Sequence, residues 1–243
     1  MPQPMTPSAW FAHSPLLPDE QLFVVLSSAS DAGALAAWQA AATSTTTTLR
    51  SVWAQTAYAE WDEVLPYVGI VETGNGFLDW VAATEFTDWG WLAVSSSPLD
   101  TVVAHLQGMT KVLLPDGQAV FLRFWDGAQF LPMVQKLGGE AGAVLPEFQR
   151  YLINAQPLTV ATTPVATAKA SPWWRVPAPL LTYLAEQSPQ TLIDNLLQWL
   201  EEQRPDLHAA FSPATLRHKV AYFARGADVS HEALADYLAS ELS

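Results

Sequence analysis

The sequence predicts an α/β (α+β) N-terminal lobe with a mixed sheet flanked by helices, followed by a smaller all-α lobe. Three observations support this prediction. Apolar runs of strand length alternate with helical patterns through the first 155 residues. A Pro-, Thr- and Ala-rich stretch follows at 156–175, where periodicity is lost. From 176 to 243 every periodic segment is helical, so we predict a domain at 1–155, a linker or strap at 156–175 and a helical lobe at 176–243.

The first half of the predicted lobe is built from short elements that alternate in type. Strand length and apolar content favour strands at Gln21–Ser27, Tyr67–Val71 and Gly90–Val94. Helical spacing of large apolar residues favours helices at 31–42 and 77–86. This order is typical of helices packed on a sheet.

A fourth segment carries clear helix-boundary signals. Ser97 is a candidate cap, Pro98 suits the first turn, and Asp100 complements the helix dipole. Gly108 is placed to end the helix. We therefore predict a helix over 99–108.

The strongest local signal is a β-hairpin. Apolar runs at 111–115 and 118–125 flank Asp116-Gly117, a dipeptide typical of a two-residue type I′ turn. Helices are expected next at 128–137 and 146–154. In the helical lobe, Ser188, Ser212 and Ser230 each stand where a helix is predicted to begin.

Composition excludes several classes of protein. The chain has 243 residues, a formal net charge of −13, 14% charged residues and no Cys. It therefore has no disulfide framework, thiolate zinc site or cysteine nucleophile. Residues 1–110 contain 11 acidic residues and one basic residue, Arg50, which argues against binding to nucleic acid or to an acidic membrane surface.

No signal peptide or membrane span is expected. The N-terminal residues lack both a basic start and an apolar run, and the longest uncharged stretches are diluted by polar residues and Pro. We therefore expect a cytoplasmic protein.

Catalytic sequence signatures are missing. The sequence has no G-x-S-x-G, Walker A, H-E-x-x-H or G-x-G-x-x-G motif. His231-Glu232 lacks the second His that a metal-binding helix requires, so we expect no metal site and no cofactor. A hydrolase site assembled from His105 and nearby acids stays open as an alternative; packing of His105 inside the lobe is the simpler interpretation.

Four further residues attract attention. Arg123 is a lone cation in an aromatic strand, with Asp126 three residues on, and such a pair is expected to hold the corner after the strand. Trp173 and Trp174 lie in the Pro-rich strap. They either pin the strap down or contact a partner, because Trp is enriched at binding hot spots.

An ordered series of motifs runs through residues 90–137. His105-Leu106 closes a helix, Asp116-Gly117 forms a turn, and Arg123-Phe124-Trp125-Asp126 ends a strand. This series resembles the effector adaptor chaperones of the bacterial type VI secretion system, and the resemblance extends more loosely over about 20–150. Gly127 stands where that family usually has Pro.

The resemblance implies a protein without enzymatic activity. Adaptors of this kind bind a specific effector in the cytoplasm and help to load it onto the VgrG-type spike protein. By this resemblance His105, Arg123 and Asp126 are motif positions with structural roles. An immunity protein for a neighbouring toxin is the other alternative, since such proteins are also small, acidic and cytoplasmic.

Overall fold

The computed structural model describes residues 4–41, 49–61, 64–161, 168–187, 189–224, 226 and 229–242. It divides into two compact units, Met1–Leu180 and Leu181–Ser243. The division falls five residues after the start predicted for the helical lobe. Ser188, expected to cap a helix, lies outside the described residues.

The first unit is built on a six-stranded sheet, as the predicted α+β class requires. Its strands are β1 Gln21–Ser27, β2 Leu49–Ser51, β3 Pro66–Ile70, β4 Gly90–Ser95, β7 Arg150–Ile153 and β8 Gln156–Thr159. The strand order is β2-β3-β1-β4-β7-β8, and each recorded pairing in this sheet is antiparallel, whereas a mixed sheet was expected. The long central strand lies where its apolar run predicts it.

Short helices accompany this sheet. Those expected near 31–42, 77–86, 99–108 and 128–137 are all present, with shorter bounds for the first two. The helices of this part are α1 Pro7–His13, α2 Ala34–Ala41, α3 Phe77–Ala83, α4 Leu99–Gly108, α5 Gly127–Leu137 and α6 Ala141–Val144, with a 3-10 turn at Gly138–Glu140.

Both faces of the central strands are buried, which explains why β1 reads as a continuous apolar run instead of an alternating one. On one face Leu22, Val24 and Leu26 pack in a cluster with residues of α1, α2 and α3. On the other face Trp91 stacks on Phe130 of α5, with ring centroids 4.7 Å apart. The two layers hold β1 and β4 at the centre of the unit.

A second, smaller sheet carries the predicted hairpin. Its strands are β5 Lys111–Leu113 and β6 Ala119–Phe121. The turn has three residues instead of two: Gly117 N–H donates to Leu114 O, and Gly117 takes φ +93°. Pro115 suits the first inner position of such a turn because its φ is already fixed near the value required.

The expectation of a helix at 146–154 is wrong. β7 occupies Arg150–Ile153 and pairs with both β4 and β8. Asn154 and Ala155 have φ of +49° and +60°, which makes them the tight turn between β7 and β8. β8 also brings 156–159, expected to be linker, into the sheet.

The second unit is helical. Its core consists of apolar side chains from four helices, with Leu200, Val220, Leu234 and Leu238 fully buried. Ser212 and Ser230 cap helices as predicted, accepting from Thr215 N–H and Ala233 N–H. The helices of the C-terminal region are α7 Ala178–Gln187, α8 Pro189–Gln203, α9 Pro205–Ala209, α10 Pro213–Phe223 and α11 His231–Ser240. Within the part of the chain described, no helix is long and apolar enough to cross a bilayer.

Candidate functional site

The corner after β6 is organised by the Asp126 carboxylate. Asp126 caps α5, accepting hydrogen bonds from Ala128 N–H at 2.9 Å and Gln129 N–H at 3.3 Å. Its other oxygen pairs with Arg123 Nη2 at 3.1 Å. The carboxylate is buried, whereas the Arg123 side chain is half exposed (51%). The contact expected between the two residues is therefore present, and it turns the chain from β6 into α5.

Burial controls the charge of this carboxylate. It raises the pKa of Asp126 above its ordinary value, because an ion loses solvation in the interior. Arg123 and the two capping N–H groups oppose that rise, and the Asp88 carboxylate adds to it. Arg123 is thus the counter-charge for a carboxylate whose principal task is to cap a helix.

Gly127, at the position where the resembling family usually has Pro, lies in a crowded place. A β-carbon there would lie 2.4 Å from Gly90 O and 2.7 Å from Thr87 O. Such distances are far below carbon–oxygen contact, so the first turn of α5 approaches the start of β4 closely. In this chain glycine at 127 is a packing requirement.

His105 lies inside the unit on α4 and is only 4% exposed. It is hydrogen-bonded to the backbone of Val144, and its Nε2 has no hydrogen-bond partner among the described residues. Desolvation lowers the pKa of His105, against an opposing effect of the Glu147 carboxylate. The hydrogen bond to Val144 also acts to raise the pKa, but desolvation is the largest effect and favours the neutral imidazole. The same hydrogen bond joins α4 to the end of α6.

The carboxylate that acts to raise the pKa of His105, that of Glu147, is itself hydrogen-bonded. The Glu147 side chain accepts a hydrogen bond from Ser97 Oγ, and its backbone carbonyl accepts one from Ser95 Oγ. Ser97 therefore does not cap α4, which begins after Pro98 without a side-chain cap. Within the described ranges, no group of three or more His, Asp or Glu is placed to hold a metal ion.

Trp173 and Trp174 belong to a segment, 168–176, that lies beside β5. From here on the name strap means 168–176, in place of the range 156–175 predicted from the sequence. Leu113 N–H donates to Trp174 O at 2.8 Å, and Val176 N–H donates to Leu113 O at 2.8 Å. The strap thus extends the hairpin sheet by a parallel bridge between Leu113 and Arg175. The side chains of Trp173 and Trp174 are both partly buried. The backbone of the strap that carries them is hydrogen-bonded to β5.

The strap covers the C-terminal end of α4. The Trp173 and His105 ring centroids are 6.5 Å apart, and Trp173 Nε1 is buried without a hydrogen-bond partner in the described part of the chain. Lys169 Nζ lies 4.2 Å from the centroid of the Trp173 ring. Four of the five predicted residues therefore form two pairs, His105 with Trp173 and Arg123 with Asp126, and Trp174 belongs to neither pair. No recorded contact among the described residues joins one pair to the other.

Sequence reasoning missed an aromatic cluster on the outer side of the hairpin. Trp61 lies 5.2 Å from Tyr58 and 5.3 Å from Phe121, measured between ring centroids, and Trp61 is 46% exposed. Beneath them Trp53 is buried, and its Nε1 donates to Thr110 Oγ1 at 3.0 Å. We define Trp61, Tyr58, Phe121 and Lys111 as the Trp61 surface.

A signal for this cluster is present in the sequence. Three aromatic residues fall within nine positions, 53–61, in a segment with weak helical character. Those residues form successive turns that fold over the hairpin. The pairing of turns with hairpin is a long-range contact, which local periodicity does not report.

Comparison with known proteins identifies the family. Residues 22–143, half of the chain, match the family described as "Domain of unknown function (DUF4123)", and the chain belongs to it. The matched range runs from β1 to α6 and contains His105, Arg123 and Asp126. No curated protein matches this chain, and no solved structure matches it.

Proposed function

We propose that this chain is an adaptor, or chaperone, that binds a specific type VI secretion effector in the bacterial cytoplasm and helps to load it onto the VgrG-type spike. The observation that carries the proposal is the match of 22–143 to the DUF4123 family. It covers the motif series by which the sequence resembles the effector adaptors.

The surroundings of the motif residues support a role as a binding scaffold. Asp126 caps a helix, Arg123 balances its charge, and His105 is buried under Trp173. Each of these three side chains contacts other residues of the lobe. A lobe built in this way leaves its surface for contacts with other proteins, and the half-exposed Trp61 offers one anchor for such a contact.

A deletion experiment tests the proposal. In a bacterium that carries this gene beside an effector gene, we expect deletion to reduce delivery of that effector while assembly of the spike persists. Supplying the wild-type chain from a plasmid should restore delivery. The effector and a spike component are measured in the culture medium by immunoblotting.

Two results would contradict the proposal. The first is normal stability and delivery of the effector without this chain. The second is normal delivery combined with poisoning of the cell that lacks the chain, which is the behaviour of an immunity protein. A second effector of the same bacterium, delivered with its own adaptor, is the internal control.

A further inference from the structure

The strap completes the outer edge of β5. Lys111 N–H donates to Ser171 Oγ at 2.9 Å, and the same hydroxyl donates to Lys111 O at 3.2 Å. Further along, Leu113 accepts from Val176 N–H and donates to Trp174 O. The strap therefore takes the place of a third strand in the hairpin sheet. If the strap leaves, these N–H and C=O groups of β5 must bond to water instead.

Most of the strap is exposed to solvent. Residues 168–172 are exposed, and so is Arg175, which donates to the carbonyls of Leu114 and Pro115. By contrast, Val144 on the other side of His105 is buried in the unit. Segments whose hydrogen bonds are exposed can open without unfolding of the rest of the structure. Water can therefore reach His105 at the lowest cost by a local opening of the strap.

The groups beneath the strap match a neutral His105 and not a protonated one. The Nε2 atom of His105 and the Nε1 atom of Trp173 are both buried without a hydrogen-bond partner in the described part of the chain. The bond to the backbone of Val144 uses the other ring nitrogen, so it can persist in both charge states of the imidazole. A proton on Nε2 would be a second donor, and Trp173 Nε1 cannot accept it because an indole N–H only donates.

Two charged groups act on His105 from the segments packed against it. The Glu147 carboxylate favours the protonated ring, but it already accepts a hydrogen bond from Ser97 Oγ. Lys169 of the strap opposes protonation, and its Nζ lies 4.2 Å from the Trp173 ring centroid. Desolvation exceeds both effects and lowers the pKa of His105. Uptake of a proton is therefore unfavourable while the strap is closed.

We infer that the strap is a pH-sensitive conformational switch, closed over the neutral ring of His105 and opened when this ring takes up a proton. In the open state water solvates the imidazolium, and Lys169 moves away with the strap. Because the ring is harder to protonate in the closed state, closure is fully favoured above about pH 6.5, the ordinary pKa of histidine. Opening becomes easier as the pH falls below that value. The switch is independent of the proposed function.

Hydrogen exchange of the full-length chain, followed by NMR between about pH 7.5 and pH 5.5, tests the switch. The protection factors of Leu113 and Val176, which correct for the pH dependence of intrinsic exchange, should fall by about three- to tenfold over this range. Val176 should also be less protected than Val71, whose N–H donates to Leu22 O in the six-stranded sheet. Equal protection of Val176 and Val71, or protection of Val176 that does not fall with pH, overturns the switch.

A histidine variant separates His105 from other titrating groups. His105→Asn keeps an N–H that can donate to Val144 but does not titrate, so its protection factors at Leu113 and Val176 should stay constant within about twofold. His13→Asn, which replaces an exposed histidine of the same unit, is the matched control and should retain the wild-type fall. A fall of wild-type size in His105→Asn overturns the switch.

A measurement on the wild type decides if His105→Asn does not fold. The NMR chemical shifts of the His105 ring should be those of a neutral imidazole at about pH 6.5, where an ordinary histidine is half protonated. A His105 ring that is half protonated or more at that pH would show that the closed strap does not oppose protonation, and the switch would be overturned.

Discussion

At the scale of single residues, the polar side chains of the motif series between 105 and 126 make their contacts within the lobe. Asp126 gives its oxygens to N–H groups of α5 and to Arg123, and His105 is buried between α4 and the strap. Groups used in this way specify backbone geometry: an N-cap fixes where a helix begins, and an internal histidine fixes which elements meet.

Two substitutions of Asp126 distinguish the stability due to helix capping from the stability due to its charge. Asp126→Ala removes the acceptor of two N–H groups and should lower the free energy of unfolding by about 1–2 kcal/mol. Asp126→Asn keeps an oxygen at the cap and should cost less than half of that. Denaturant titration followed by Trp fluorescence measures both, with the exposed Asp19→Ala as the control.

The pH dependence of the Asn variant follows from the direction of the pKa. The pKa of Asp126 is raised in the folded protein, so the stability due to its protonated form is present at low pH and is lost as pH rises through the folded pKa. The difference in the free energy of unfolding between the wild type and Asp126→Asn should therefore decrease from about pH 4 upward and then become constant. An advantage that grows with pH would show that the Arg123 ion pair outweighs desolvation.

At the scale of elements, the joint between α4 and the strap depends on a close approach at Gly108. A β-carbon at this position would lie 2.3 Å from Lys169 O and 3.4 Å from Trp173 Nε1. Helix propensity alone would make alanine better than glycine by about 1 kcal/mol. The packing of the strap and the preference of the helix therefore predict opposite signs.

We expect packing to win at this position. Gly108→Ala should lower the free energy of unfolding by about 1–3 kcal/mol, because backbone atoms of the strap must move. It should also increase hydrogen exchange at Leu113 and Val176, whose N–H groups bond between β5 and the strap. Gly139→Ala, with no atom within 4 Å of the added β-carbon, is the control and should be neutral or stabilising. A stabilising Gly108→Ala would mean that the strap is loosely held.

Elements whose signal is local could be predicted from the sequence, and those that depend on distant partners could not. The continuous apolar run of β1 and the Ser caps of α10 and α11 are complete within a few residues. β7 has four residues and is a strand because β4 and β8 lie on either side of it. The sequence pattern of 146–154 suggested a helix, but pairing with the neighbouring strands decides the conformation. Short apolar segments are often ambiguous between helix and strand.

The candidate site divides along the same line. The Arg123–Asp126 contact spans three residues, and sequence spacing predicts it. The Trp61 surface joins 58–61 to a strand some sixty residues later, and the strap returns to β5 from a similar distance. Sequence position reports the presence of aromatic residues there but not which of them meet.

At the scale of the whole molecule, each compact unit contains its own core. The core of 181–243 draws on α8, α9, α10 and α11, with Leu200 fully buried. That of 1–180 is centred on the sheet. Ten of the 11 Trp residues lie before position 181; the exception is Trp199. Trp fluorescence therefore reports mainly on the first unit. The helices of the second unit contribute to the helical signal in far-ultraviolet circular dichroism.

This distribution makes the independence of the two cores measurable in the intact chain. Leu200→Ala should lower the stability of the second unit by about 2–5 kcal/mol, since it leaves a cavity in a small core. Part of the helical signal should then melt at lower temperature while the Trp fluorescence transition stays in place. Leu242→Ala, which truncates an exposed side chain of the same unit, is the control and should leave both transitions unchanged. A common downward shift of both signals in Leu200→Ala would show that the two units unfold as one cooperative body.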